Sequence, residues 1–155
     1  AINIQVAFTR DGKILITGGH QDGLVKFWDV ANGEELATLP GKNNAGALRV
    51  SPDGARLLVA GGELQVWDVQ ERTKLTSWKG PSMLQGASWL PNGQHVLTTS
   101  YAAKAAEVWD VSTGERIAAF ETDTPLYACA ISPDGRGAVV GDSEGRVIFL
   151  RVRGM

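Results

Sequence analysis

Side chains that could carry out catalysis are few in this 155-residue chain, and their spacing does not bring them together. His20 falls in a predicted turn and His95 at the start of a predicted strand, and neither has a partner at the spacing of metal ligands. Ser100, Ser132 and Ser143 lie outside the Gly-x-Ser-x-Gly pattern that presents a nucleophilic serine. These residues predict no enzyme, no metal site and no cofactor.

The glycine-rich and acidic stretches are also more typical of turns than of binding loops. A phosphate-binding loop leads into a helix, but strands are predicted after Gly61-Gly62 and after "GDSEG" at 141–145. The acidic part of "GDSEG" is too short for a calcium-binding loop. We therefore interpret both stretches as hairpin turns.

The charge pattern argues against two classes of partner. The net charge is −2 and the basic residues are scattered, whereas nucleic-acid and anionic-membrane surfaces normally show a basic patch. No apolar run approaches the roughly 20 residues of a membrane helix, and no signal peptide is expected at the start. One cysteine fits a reducing compartment. We expect a cytoplasmic protein that binds neither nucleic acid nor a membrane.

Two sequence markers recur with one period, which indicates an internal repeat. A turn dipeptide recurs at steps of 42, 39 and 42 residues, as Asp11-Gly12, Asp53-Gly54, Asn92-Gly93 and Asp134-Gly135. A Trp-Asp pair recurs at steps of 39 and 42 residues, as Trp28-Asp29, Trp67-Asp68 and Trp109-Asp110. Apolar residues alternate with polar ones on both sides of the turns, which is typical of half-buried strands. The sequence predicts an all-β chain of four units without helices.

These motifs resemble the WD-repeat family of β-propellers. The likeness covers nearly the whole chain and is clearest in "VSPDG" at 50–54 and "KFWDVANGEEL" at 26–36. It implies four blades, spanning about 1–41, 42–80, 81–122 and 123–155, with four strands in each of the first three. The fourth blade ends on its third strand, in "RVIFLRV", and lacks its outer strand.

Rings of this family usually have seven or eight blades, so four blades leave two interpretations open. The chain is either part of a larger propeller, its C-terminal part, or half of a ring that a second chain completes. The second alternative predicts a homodimer with an eight-bladed ring.

The repeat alignment assigns most aromatic and sulfur-containing side chains to blade cores. Trp28, Trp67 and Trp109 share one repeat position, and Trp78 and Trp89 occupy two others. Cys129 aligns with apolar positions, which predicts a buried, unreactive thiol. The repeating carboxylates are expected to accept N–H groups of the following turns, at Asp29, Asp68 and Asp110.

The family often supports each blade with a buried polar network that includes a Ser or Thr on the second strand. Gly18 and Gly61 stand at the expected position of that residue. The resemblance therefore implies that most of the network is lost, and that apolar packing holds the blades together.

Loops on a rigid scaffold are the expected place for binding residues. The loops that enter the innermost strands and the turns after the second strands line one ring face. The partner-binding candidates on these segments are Tyr101, Lys104, Met83, Leu84, Tyr127, His20 and Asn43. Tyr101 and Lys104 lead this set, because "SYAAKAAE" is longer than the equivalent turns. Leu84 has an alternative interpretation as an inward-facing residue at the start of a strand.

The function expected from these features is a non-catalytic protein-interaction scaffold or sensor. The last blade, "CAISPDGRGAVVGDSEGRVIFLRV", looks like the last blade of propellers that end many bacterial signalling ATPases with NB-ARC or NACHT modules. That resemblance implies a sensor that recognises a trigger. Two alternatives stay open: a structural segment that completes a ring, and a small-molecule binder or enzyme that uses the central channel.

Overall fold

The computed structural model describes residues 4–19, 22–40 and 45–153, and this part of the chain is all-β. It contains 15 strands in four antiparallel sheets. The strands of the first two sheets are β1 Ile4–Phe8, β2 Ile14–Gly19, β3 Val25–Asp29, β4 Glu35–Thr38, β5 Ala47–Val50, β6 Arg56–Ala60, β7 Glu63–Asp68 and β8 Lys74–Lys79. Those of the last two are β9 Leu84–Trp89, β10 His95–Ser100, β11 Ala105–Asp110, β12 Arg116–Glu121, β13 Leu126–Ile131, β14 Gly137–Asp142 and β15 Val147–Arg151.

Each sheet is an up-and-down meander in chain order, so each is one propeller blade. Blades 1 to 3 have four strands, while blade 4 has three and ends its sheet at β15. The predicted fold class, with three complete blades and an incomplete fourth, is confirmed. Each sheet lies within one of the predicted blade spans; the limits of those spans stay a prediction. None of the residues that the structure describes forms a helix long and apolar enough to cross a membrane.

The repeated turn between the first and second strands of a blade is built by local hydrogen bonds. In blade 2, the Ser51 hydroxyl donates to the Asp53 carboxylate, which also accepts the N–H of Ala55 at 3.0 Å. The hydrogen bond from Ser51 is the main cause that lowers the pKa of Asp53. Gly54 follows with φ of 80°, a left-handed conformation that favours glycine. The motif Ser-Pro-Asp-Gly therefore favours a hairpin because its serine and aspartate form these hydrogen bonds and its glycine adopts the positive φ.

The hydrophobic core lies between blades, so each blade has two faces that can pack against a neighbouring blade. We call the face that packs on the preceding blade the leading face and the one that packs on the following blade the trailing face. At the first junction, the trailing face of blade 1 meets the leading face of blade 2, through Ile16, Val25, Phe27 and Leu39 against Leu48, Leu57, Val59 and Trp67. Two further clusters of the same kind join blades 2 and 3 and blades 3 and 4.

Two tryptophans of the Trp-Asp pairs, Trp67 and Trp109, lie in the core as predicted, whereas Trp28 is on the uncovered face of blade 1. Trp28 and Trp109 retain more polar support than expected. Trp67 and Trp109 are 3% and 9% exposed, and Trp28 is half-buried. The indole N–H of Trp28 donates to Thr17 Oγ1 at 2.9 Å, and that of Trp109 donates to Thr98 Oγ1 at 3.0 Å. The Ser/Thr partner is therefore present one residue before the position where the alignment placed Gly18.

Two other predictions about repeat positions are confirmed. Asp110 Oδ1 accepts the N–H groups of Ser112 at 2.8 Å and Thr113 at 3.0 Å, and Asp29 and Asp68 cap their turns in the same way. Cys129 is partly buried and packs against the core between blades 3 and 4, where its thiol is shielded from solvent. Burial raises the pKa of its thiol to about 11, so the reactive thiolate is disfavoured.

Candidate protein-interaction face

Three of the predicted contact residues meet on one loop face, at the junction of blades 3 and 4. The rings of Tyr101 and Tyr127 lie edge to face, with centroids 5.7 Å apart and planes at 71°. The N–H of Tyr101 donates to the carbonyl oxygen of Met83 at 3.1 Å, which places the loop before β9 beside the turn after β10. We call Met83, Tyr101 and Tyr127 the aromatic–methionine patch.

The patch is exposed although its members are large and mostly apolar. Met83 is 59% exposed, Tyr127 45% and Tyr101 39%. The edge-to-face geometry is a favoured arrangement for aromatic rings and holds the two tyrosines in defined positions. Aromatic and methionine side chains are enriched in protein interfaces, so the patch has the composition of a contact site.

The turn that carries Tyr101 is fixed by hydrogen bonds from a buried serine. The Ser100 hydroxyl donates to the carbonyl oxygen of Ser82 at 2.7 Å and accepts the N–H of Ala103 at 2.9 Å. Met83 and Lys104 both adopt positive φ, at 52° and 50°, which is unusual for residues other than glycine. The exposed side chains therefore stand on a backbone with little freedom.

A charged network borders the patch on blade 4. Arg146 donates to Asp142 at 2.6 Å, to Asp123 at 2.9 Å and to Thr124 Oγ1 at 2.8 Å. The Lys104 ammonium donates to the carbonyl oxygen of Asp123 at 3.2 Å, so Lys104 joins this border and not the aromatic pair. An exposed charged border around an apolar centre is the usual arrangement of a protein interface.

Asp142 anchors this network from a buried position, because its residue is 8% exposed. Burial alone raises the pKa of its carboxyl group, but hydrogen bonds outweigh it and lower the pKa to about 2. The donors are the side chain and N–H of Arg146, the Thr124 hydroxyl and the N–H of Glu144. The same contacts raise the pKa of Arg146. Asp142 and Arg146 are therefore both charged at neutral pH.

The remaining candidates are placed differently. Leu84 begins β9 and packs in the core between blades 2 and 3, with 8% exposure. Its proposed role as a surface anchor was wrong, because a β-bulge between Leu84 and Gly86 shifts the register of β9 and places Leu84 in the same core as Ala87 and Trp89. His20 and Asn43 lie outside the described residues.

The exposed pairing of Tyr101 with Tyr127 was not visible in the sequence, where the two residues stand 26 positions apart. Asp123 and Arg146 were missed for the same reason. The described residues contain no group of three or more His, Cys, Asp or Glu side chains that could hold a metal ion. What the face offers is a fixed apolar centre with charged neighbours, which suits binding of a protein surface.

Comparison with known proteins agrees with this architecture. Residues 4–120, more than half of the chain, match the family model for eukaryotic translation initiation factor eIF2A. The chain belongs to this family. The chain forms blades of a WD-repeat β-propeller. The two relatives described next are WD-repeat β-propellers as well.

Two curated relatives of this WD-repeat propeller carry names from translation. It is 29% identical over 119 residues to the small ribosomal subunit protein RACK1 of Caenorhabditis elegans, which covers 69% of the chain and 36% of the relative. It is 25% identical over 154 residues to eukaryotic translation initiation factor 3 subunit I of Lodderomyces elongisporus, which covers 94% of the chain and 44% of the relative. The propeller thus spans less than half of the length of either relative.

One solved structure shows the same fold. Hydrazine synthase of Kuenenia stuttgartiensis superposes on 95% of the propeller with a TM-score of 0.83 and 22% sequence identity, over 45% of that chain. At this identity the likeness concerns the fold alone.

Proposed function

We propose that this propeller is a non-catalytic protein-interaction scaffold that binds its partner through the aromatic–methionine patch. The observation that carries the proposal is the exposed cluster of Met83, Tyr101 and Tyr127 on a constrained loop face. Aromatic side chains at the centre of an interface commonly contribute most of its binding energy. The border of Asp123, Lys104 and Arg146 would select the partner by charge and hydrogen bonding.

The class of partner is supported by the relatives. RACK1 is named as a small ribosomal subunit protein, and the second relative is named as a subunit of a translation initiation factor. We propose that the partner is a protein of the translation machinery and that the scaffold acts in the cytoplasm. A narrower proposal follows from the last blade, which resembles propellers of NB-ARC or NACHT signalling ATPases. In that proposal the same patch is the trigger-sensing surface, and its loss would change ATP hydrolysis by such an ATPase.

Photo-crosslinking tests the scaffold proposal directly. A photoreactive amino acid at position 101 or 127 is expected to crosslink the chain to ribosomal subunits or initiation-factor complexes, whereas one at Ile117 is not. Ile117 is the control because it is 45% exposed but lies on β12, away from the patch. Equal crosslinking from all three positions would contradict the assignment of the patch.

An affinity measurement gives the second test. Tyr101→Ala is expected to weaken partner binding by at least roughly 30-fold, the effect of a typical interface hot spot. Ile117→Ala is expected to leave it unchanged. Unchanged affinity in a double variant, Met83→Ala with Tyr101→Ala, would overturn the proposal.

A second candidate function is ring assembly. It is favoured by a separate observation, the exposed apolar faces at the two ends of the blade row, which include Phe8 and Phe149. This function needs no contribution from the patch.

A further inference from the structure

An open groove of about 450 Å³ separates blades 2 and 3, at the strand ends opposite the aromatic–methionine patch. Blade 2 contributes the starts of β6 and β8, and blade 3 contributes the turns before β10 and after β11. All eight strands of the two blades lie within the described residues and away from both ends of the chain. We call this feature the 2–3 groove.

Arg56 is held at one side of the 2–3 groove by the next blade. Its guanidinium carbon lies 5.1 Å from the centroid of the Trp89 ring, and its Nη2 donates to the carbonyl oxygen of Gly93 at 2.6 Å. Trp89 is itself fixed, because it is 6% exposed and its indole N–H donates to the carbonyl oxygen of Arg49 at 2.9 Å. A guanidinium over an indole is attracted by the face of the ring. Arg56 therefore has a defined position before any ligand binds.

Most of the hydrogen-bonding capacity of Arg56 is unused. A guanidinium carries five N–H donors. Both of its contacts with oxygen atoms involve Nη2, namely the hydrogen bond to Gly93 and a 3.6 Å contact with the Asp53 carboxylate. Neither Nε nor Nη1 of Arg56 has a hydrogen-bond acceptor among the described residues. Since the side chain is only 27% exposed, a ligand carboxylate there would form charge-assisted hydrogen bonds that are partly shielded from water.

The propeller fold does not require an arginine at this position. The residues at the same repeat position in the other three blades are Ile14, His95 and Gly137. A side-chain contact with the next blade is made differently at the first junction, where Arg10 donates to the carbonyl oxygen of Pro52 at 3.2 Å. The cation of Arg56 is therefore particular to the 2–3 groove.

An apolar surface lies beside this cation, where a glycine replaces a long side chain. At the first junction, Arg72 of blade 2 lies over Phe27, with 5.6 Å between the guanidinium carbon and the ring centroid. The equivalent of Arg72 in blade 3 is Gly114, and the equivalent of Phe27 in blade 2 is the smaller Val66. The 2–3 groove therefore keeps an apolar lining that no arginine covers. Its apolar residues are Val66, Leu75 and Val111.

The carboxylate of the groove itself is already engaged by blade 3. Asp110 Oδ1 accepts the N–H groups of Ser112 and Thr113, and its Oδ2 lies 3.7 Å from Nε2 of His95. Within the described residues Asp110 forms no ion pair with Arg56, which contacts only the exposed Asp53 carboxylate. The positive charge of Arg56 is therefore left to attract an anionic group of a ligand.

We propose that the 2–3 groove binds a short segment of a protein partner that carries a carboxylate side chain next to a branched aliphatic one. The carboxylate accepts N–H groups of Arg56, and the aliphatic side chain lies on Val66 and Leu75. Leu75 is 53% exposed at the rim, so the groove covers one face of a segment, whereas small-molecule sites enclose most of their ligand. This is a second contact site, independent of the aromatic–methionine patch, because it lies at the other ends of the strands.

Peptide phage display on the immobilised chain tests this proposal. Random peptides that bind Arg56→Gln are first removed, and the remainder is selected on the unaltered chain. The selected peptides are expected to contain aspartate or glutamate directly next to leucine, isoleucine or valine. A synthetic copy is expected to bind Arg56→Gln at least roughly 10-fold more weakly, because hydrogen bonds between two charged groups are lost. Arg136→Gln is the matched control, since Arg136 is exposed at the same strand ends of blade 4, outside the groove.

A second pair of variants tests the apolar half of the groove. Leu75→Ser is expected to weaken binding of the same peptide by about 5-fold, because apolar surface is removed from the contact. Ile117→Ser is the control, since Ile117 has the same repeat position in blade 3 and is 45% exposed outside the groove. Both residues are exposed, so folding is expected to persist, and melting temperatures check this for every variant. Tyr101→Ala is expected to leave the peptide bound, which separates this site from the patch.

Four results would overturn the proposal. They are no enrichment of peptides over the Arg56→Gln depletion, selected peptides without a carboxylate, an equal loss of affinity in Arg136→Gln, and a loss of binding in Tyr101→Ala. A small acid with the same two groups, 4-methylpentanoate, distinguishes the sources of the ligand. If it bound as tightly as the selected peptide, the assignment to a protein segment would be wrong.

Discussion

The inner blade junctions and the two end faces are built from the same repeat positions, but they differ in what covers them. Phe27 is fully buried between blades 1 and 2, while Phe149 at the same position of blade 4 is 83% exposed. The local strand geometry is the same in both blades, since each residue lies on the third strand of an antiparallel meander. The difference shows that a propeller blade does not bury its own apolar residues. Burial, and therefore stability, is a property of pairs of blades.

The largest expected effect comes from truncating this one repeat position at a junction and at an end. Phe27→Ala should lower the free energy of unfolding by about 3–5 kcal/mol, because it removes a buried ring and leaves a cavity. Phe149→Ala should change the unfolding free energy of the monomer by less than about 0.5 kcal/mol, as exposed substitutions usually do. Urea unfolding of dilute protein measures both. Similar losses in the two variants would show that burial is not what distinguishes the regions.

A smaller difference is expected for the hydroxyl groups that support the tryptophans. Thr98→Val leaves the buried Trp109 indole N–H without its partner and should cost about 1–3 kcal/mol. Thr17→Val should cost less, because Trp28 is on the open leading face of blade 1 and its N–H can reach water. Thermal and urea unfolding of the two variants provide the comparison. An equal cost at both sites would contradict the role assigned to burial.

The charged border of the patch predicts a pH dependence. The folded-state pKa of Asp142 is lowered from 3.8 to about 2, so its contribution to stability is present above the unfolded value and is lost as the pH falls through about 2. Asp142→Asn should therefore reduce the loss of stability between about pH 4 and pH 2. Asp123→Asn is the matched comparison: its exposed carboxylate contacts the same arginine, which also lowers its pKa, and a smaller change in the acid slope is expected because solvent screens the contact. Acid titration of the melting temperature would contradict the prediction if both variants kept the slope of the unaltered chain.

The smallest effect on stability is expected in the patch itself. Tyr101→Ala should change the free energy of unfolding by less than about 0.5 kcal/mol, since the ring is partly exposed and its loss leaves no cavity. A loss of more than about 2 kcal/mol would mean that the Tyr101–Tyr127 pair holds blades 3 and 4 together, and the patch would then be a structural joint.

The sequence predicted the blades well because its signals are local. The Asp-Gly turns, the alternating strands and the carboxylates such as Asp110 all act within a few residues of one another. The approach of Tyr101 to Tyr127, the inward direction of Leu84 and the hydrogen bond from Arg146 to Asp123 depend on how one blade packs on the next. A single sequence does not specify how neighbouring blades are oriented relative to one another. The candidate residues could therefore be named, but their arrangement into a site could not be predicted.

The position of the Ser/Thr partner shows a different limit. The alignment placed it at Gly18, whereas the indole of Trp28 reaches Thr17, one residue earlier. A strand alternates its faces at every residue, so a shift of one position moves a side chain to the other side of the sheet. Repeat alignment therefore assigns a residue to a strand more reliably than it predicts the face of the sheet on which the side chain lies.

The outer edge of β15 has a consequence for handling the protein. Among the described residues this strand pairs with β14 alone, so its other side presents backbone donors and acceptors that an extended chain could pair with. Arg151 and the following Arg153 are exposed beside this edge, and their positive charges repel the same edge of another copy. Salt screens such repulsion, with a screening length of about 10 Å at 0.1 M and 3 Å at 1 M. We therefore expect solubility to fall as ionic strength rises. The salt concentration of the purification buffer would then control how fast chains associate through the unpaired edge of β15.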